Sequence, residues 1–192
     1  ISNARPKIIV TAKDTMRELE KLSSSAKAIF LTLNADGTGS LSDKLNFAEA
    51  NFKAASRSEQ DLAVIMYTSG TTGKSKGAKL THQNLTSNCE VLEKSWEFSN
   101  NDVLLHMLPT YHTHGLLVAC NLLAMVGGSM IFLPKFNVEA ALRWIPKATS
   151  MMDVPTFYTR LLDNPKFNKN VSENIRLFIS GSAPLSADTH AL

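Results

Sequence analysis

Cysteine is almost absent: the 192 residues include two, Cys89 and Cys120, at no metal-ligand spacing. That excludes a disulfide framework and a cysteine-built zinc centre, and both residues read as reduced thiols in apolar or helical segments. Long apolar runs are missing as well. The most apolar region, 116–132, is interrupted by Asn121 and by Gly127, Gly128 and Ser129, which excludes a spanning helix. Excess charge of either sign is also lacking. Lys and Arg number 20 against 17 Asp and Glu, and the resulting +3 is too small to argue for nucleic acid or an anionic membrane. There is no internal repeat, no low-complexity tract and no visible secretory signal. What is present, 44% hydrophobic and 19% charged residues, is the composition of a globular protein long enough to bury a core.

Short apolar runs alternate with helical spacing along the whole chain, which predicts an α/β architecture with mostly parallel sheets flanked by helices. Strands are expected at 6–10, 28–31, 62–66, 78–80, 103–108, 129–133, 151–154 and 175–180. Helices are expected at 14–22, 82–97, 115–125, 138–145 and from Pro155, with modest helical spacing over 42–57. Thr81 is placed to cap the helix that follows it, and proline suits the first turn of the helix from Pro155. A boundary near 58–61 separates residues 1–59 from residues 60–192.

The stretch Tyr67-Thr-Ser-Gly-Thr-Thr-Gly-Lys-Ser-Lys-Gly77 gathers three glycines, the hydroxyls of Ser69, Thr71 and Thr72, and two lysines directly behind the apolar run 62–66. Glycines expose consecutive main-chain N–H groups to an anion, and Ser69, Thr71 and Thr72 add hydroxyl donors while Lys74 and Lys76 add charge. It is not a Walker loop. Thr68 stands where the first glycine of that pattern would be, and a second short strand follows before any helix. The loop is therefore expected between two strands, gripping phosphate without a helix dipole.

These residues resemble the signature of the adenylate-forming (AMP-binding) superfamily of acyl-CoA synthetases, luciferases and peptide-synthetase adenylation domains. Ser75 stands where the family usually has proline. The resemblance continues in order through Leu108-Pro-Thr-Tyr-His-Thr-His-Gly115 and Phe178-Ile-Ser-Gly-Ser-Ala-Pro-Leu185. Between these motifs the wording is most similar to the malonyl-CoA synthetase branch. The resemblance implies that the chain is part of the large N-terminal domain: residues 1–59 from a first α/β subdomain and its connection, and residues 60–192 from a truncated nucleotide- and acyl-binding subdomain. The C-terminal domain is expected to lie outside it, so little or no turnover is expected from these residues alone.

The implied reaction uses ATP, Mg2+ and CoA: a carboxylic acid is activated as acyl-AMP, then passed to the thiol. Thr68, Ser69, Gly70, Thr71, Thr72, Gly73, Lys74 and Lys76 would hold the phosphates, with Thr71 and Lys76 acting in catalysis. Gly181, Ser182, Ala183 and Pro184 would carry adenine. His112 aligns with the family's histidine near the acyl carboxylate and the α-phosphate, and His114 is an additional candidate for the acid. No resident metal site is expected, and no carboxylate in the chain is a convincing Mg2+ ligand. A dicarboxylate such as malonate would need a buried cation for its second carboxylate. Arg160 is the leading candidate, ahead of Arg143 and Arg176, which read as solvated. No nucleic-acid partner or membrane insertion is expected, though faces left uncovered could drive self-association. The expected location is cytoplasmic, or the mitochondrial matrix in a eukaryote.

Overall fold

The computed structural model describes residues 3–22, 28–68 and 75–191. They fall into two compact units, divided between Arg57 and Ser58. In the first, β1 (Ile8–Thr11) and β2 (Ile29–Thr32) pair in parallel, with α1 (Lys13–Leu22) as the crossover between them. The helical spacing expected over 42–57 yields only α2 (Ser40–Leu45). Beyond it the chain is irregular and leaves Phe47 and Phe52 exposed, because no apolar stripe long enough to bury continues past Leu45.

The second unit opens with an antiparallel pair, β3 (Leu62–Thr68) and β4 (Lys76–Thr81), so the glycine-rich loop connects two strands as expected. Thr81 then caps α3 (His82–Trp96). Its hydroxyl accepts the Asn84 N–H at 3.2 Å, and the Asn84 side chain accepts the Thr81 N–H at 3.0 Å, satisfying two helix-end donors at once.

A four-stranded parallel sheet carries the core, in the order β6 (Ser129–Phe132), β5 (Val103–His106), β7 (Ser150–Asp153), β8 (Leu177–Ser180). Its faces are covered by different connections. Leu104 and Met152 pack under Ala119, Leu122 and Leu123, which belong to a π-helical turn (His114–Cys120) and its continuation α4 (Asn121–Val126). Leu105 and Met151 pack on the other face, against Ala141 of α5 (Val138–Trp144) and against Tyr158 and Leu161 of α6 (Pro155–Leu162). A last short helix is α7 (Ala187–Ala191). Because β5 feeds one face and its neighbour β7 feeds the other, this pair is the switch point of the sheet, and open α/β sheets bind ligands in the crevice beyond the carboxyl ends of such a pair.

The amino ends of the strands are tied together by Asp102. Its carboxylate accepts Arg176 Nε at 2.8 Å and Nη2 at 2.9 Å, Thr149 Oγ1 at 2.8 Å and the Ser99 N–H at 2.8 Å. Its main-chain oxygen accepts the Ser129 N–H at 2.8 Å. Arg176 also donates to the Trp96 and Glu97 carbonyls at the end of α3. Arg176, expected to be solvated, is thus committed to a structural ion pair. Burial by itself would raise the Asp102 carboxyl, but Arg176, the Ser99 N–H and the Thr149 hydroxyl outweigh it and hold the group down at about 2. Arg176→Leu would leave a carboxylate that is 4% exposed without its cation. The expected loss is about 2–4 kcal/mol in urea unfolding at neutral pH, reduced from the buried-pair range because Arg176 remains partly in water. Arg143→Leu, at an exposed helical position, should change stability by less than about 0.5 kcal/mol.

Candidate active site

The turns that follow β5 and β8 meet over the end of β7. The first runs from Met107 to Thr113 and enters the π-helical turn at His114. Gly115 is obligatory there: a Cβ would stand 2.3 Å from the Pro109 carbonyl oxygen, so the chain can fold back this tightly only without a side chain. The His112 N–H donates to that same carbonyl, and the Leu116 N–H donates to the His112 carbonyl, fixing both ends of the turn. The helix expected from Gly115 starts one residue earlier and π-wound, a winding that apolar periodicity does not register over one turn.

His114 is half-buried, and burial lowers its pKa, favouring the neutral ring. Its Nδ1 lies 3.0 Å from Ser182 Oγ, and its Cε1 would lie 3.0 Å from a Cβ at Gly181. The Gly181 N–H in turn donates to the Asp153 carbonyl at 3.0 Å. Two of the motifs are thereby joined at the crevice. His112 is exposed, its ring 4.6 Å from that of Tyr111. Ala183 and Pro184 are exposed beyond Ser182. Thr68 and Lys76 are exposed register partners that close the mouth of the glycine-rich loop. Ser69, Gly70, Thr71, Thr72, Gly73 and Lys74 lie outside the described residues.

Arg160 does not point into a buried pocket. It is exposed on α6, its guanidinium 4.9 Å from the centre of the Phe136 ring, which in turn stacks on Phe157 at 4.0 Å. A carboxylate paired with Arg160 here would be held at a surface, against an aromatic floor. The described residues contain no group of three or more His, Cys, Asp or Glu able to hold a metal ion. None of the described helices is long and apolar enough to cross a membrane. Cys89 is buried, Cys120 is partly buried, and both are free.

Two buried polar residues near the crevice were not among the expected site residues. His106 ends β5 fully buried, with neither ring nitrogen hydrogen-bonded and its ring 5.0 Å from that of Phe132. Asp153 ends β7, also fully buried, with both carboxylate oxygens unpartnered. The sequence signal was a single polar residue closing an apolar strand run, as in Met151-Met-Asp-Val154. Burial pushes the Asp153 carboxyl up to about 8, so it is largely protonated at neutral pH.

Comparison with known proteins fits this geometry. The family model described as AMP-binding enzyme matches residues 1–191. MatB from Rhodopseudomonas palustris, in its ATP-bound crystal structure, superposes with a TM-score of 0.95 at 50% identity, covering 100% of this chain and 38% of that one. The mouse mitochondrial malonate–CoA ligase ACSF3 is 40% identical over 141 residues, 64% of this chain. A long-chain-fatty-acid–CoA ligase of Bacillus subtilis is 36% identical over 135 residues, 68% of this chain. Both of these alignments cover 24% of the relative, so the chain spans about a quarter of the length of the curated relatives it matches. The chain belongs to the AMP-binding enzyme family.

A raised carboxyl pKa in the folded state means that the unfolded chain releases this proton more readily. The penalty is absent below about pH 4, grows as pH rises toward 8, and is constant above that. Asp153→Asn should therefore stabilise the chain by on the order of 3 kcal/mol at pH 8, and by much less at pH 4. Urea unfolding at the two pH values checks this, and an equal effect at both would contradict the assignment.

Proposed function

We propose that these residues are the nucleotide- and acid-binding portion of an ATP-dependent acid–CoA ligase that activates malonate or methylmalonate. The whole-length superposition on ATP-bound MatB, with the β5 and β8 turns joined through His114 and Ser182, is the observation that carries the reading. The ring of the adenine would lie along the main chain of Gly181 to Pro184, where a small side chain at Ala183 leaves room for it. Thr68 and Lys76 sit at the mouth of the loop that would hold the β- and γ-phosphates, with Ser69, Gly70, Thr71, Thr72, Gly73 and Lys74 supplying amides, hydroxyls and charge. Magnesium, when bound, would share that charge.

In the first half-reaction a carboxylate oxygen attacks the α-phosphorus, the bond to the β-phosphate oxygen breaks, and pyrophosphate leaves. In the second, the CoA sulfur attacks the acyl carbon and AMP departs with the bonding electron pair, the thiol proton passing to solvent. The chain's contribution to the first step would be positioning and charge neutralisation, with Lys76 and Thr71 assigned to the leaving group and His112 to the reacting carboxylate. Arg160 would pair with the second carboxylate of a dicarboxylic acid, selecting it over monocarboxylates. We place the ligase in the cytoplasm, or in the mitochondrial matrix if the source is eukaryotic. The remaining catalytic parts are assigned to a further domain, so the 192 residues alone should show little turnover. The similarity to the Bacillus long-chain ligase favours a second reading, a fatty acid as substrate.

Acid-dependent ATP–pyrophosphate exchange by a complete ligase containing this chain separates the two. Exchange with malonate and methylmalonate but not octanoate is the expected result; exchange with octanoate alone would transfer the assignment to the second reading. Arg160→Leu should raise the malonate KM about tenfold or more while affecting acetate less. Equal losses for both acids would remove Arg160 from the role.

A further inference from the structure

Three described residues other than glycine have a positive φ: Arg5, Glu97 and Ser182. Glu97 is accounted for as the residue closing α3. Ser182, at φ 66, closes no helix and lies inside the turn after β8. A serine is held in the left-handed region when its surroundings over-determine it. Among the described residues, the side-chain hydrogen bond of Ser182 goes to His114 alone, 68 residues away and 3.0 Å distant. The same imidazole lies close enough to Gly181 that a Cβ there would come within 3.0 Å of Cε1. The preceding peptide is fixed too, by the Gly181 N–H on the Asp153 carbonyl.

We propose that His114 is the positioning residue of the adenine-side turn: its ring keeps Ser182 left-handed, and so sets where Gly181 to Pro184 present their main chain to the nucleotide. This rests on the ATP-site reading above. A neutral imidazole offers one donor and one acceptor, and a serine hydroxyl can serve as either, so the bond forms with both tautomers. Gly181 is the size that admits the ring. Because His114 stands two residues after His112 on the turn from β5, the bond links the side of the crevice assigned to the acid with the side assigned to adenine. His114 acts through Ser182 and not on the reacting atoms.

The test is a double-mutant cycle on the 192-residue chain, with ATP affinity measured by titration calorimetry. His114→Ala and Ser182→Ala should each weaken ATP about tenfold, and the double variant should be no worse than either single one. His114→Asn, which keeps a polar group near the position of Nδ1, should recover most of the loss. Additive losses, or unaltered affinity in both single variants, would overturn the proposal. Hydrogen exchange across 177–185 without nucleotide is read on the same set, and both alanine variants should accelerate it to the same extent. If the parent chain fails to bind ATP, the ATP-site reading fails for this chain. The exchange result then decides the positioning role by itself, with unchanged exchange in the exposed Ser182→Ala variant counting against it even where His114→Ala does not fold.

Discussion

The buried carboxylate of Asp102 is the constraint on which the second unit depends. One residue collects the amino ends of all four strands of the parallel sheet: it precedes β5, accepts from Thr149 before β7 and Arg176 before β8, and receives the Ser129 N–H that begins β6. A carboxylate so far out of water is tolerable because each oxygen is met by a donor and the guanidinium matches it with two parallel bonds. Fixing the sheet at its amino end leaves the carboxyl ends free of that duty. The turns after β5 and β8 can then be shaped for binding without holding the strands in place.

The contrast between the two ends of the sheet is electrostatic as well as geometric. At the amino end every polar group of Asp102 is partnered and its charge is retained. At the carboxyl end the buried His106 and Asp153 and the half-buried Ser180 have side-chain atoms with no hydrogen-bond partner, whereas at the amino end the uncharged Ser150 hydroxyl is the one such buried group among the described residues. Unpartnered buried polar groups reduce stability, and such groups cluster where a structure is built to do something besides fold. Asp153 is the plainest case, because its charge is suppressed by burial instead of being neutralised by a cation.

Much of this was legible in the sequence, for identifiable reasons. Strand positions followed from short apolar runs, and Thr81 followed from a hydroxyl placed before a helical stretch. The hairpin geometry of the glycine-rich loop followed from Ala78-Lys-Leu80 reading as a strand and not as the opening of a helix. What was not legible depended on distance along the chain. Arg176 looked solvated because its partner lies 74 residues away, and no local pattern carries that information. The His114–Ser182 bond is hidden for the same reason. Residues 46–57 erred in the other direction: a weak helical period was present, but no apolar stripe long enough to bury continues past Leu45.

The clash that enforces glycine at 115 has a consequence for how this crevice can change over evolutionary time. Main-chain contacts, the Pro109 carbonyl against Gly115 and the His112 N–H, determine the path of the turn, and side-chain identity between them contributes little to it. Residues 110 to 113, ahead of His114, therefore behave as a cassette clipped in at both ends. New side chains can be sampled there, and a different acid recognised, while the backbone that presents them keeps its course.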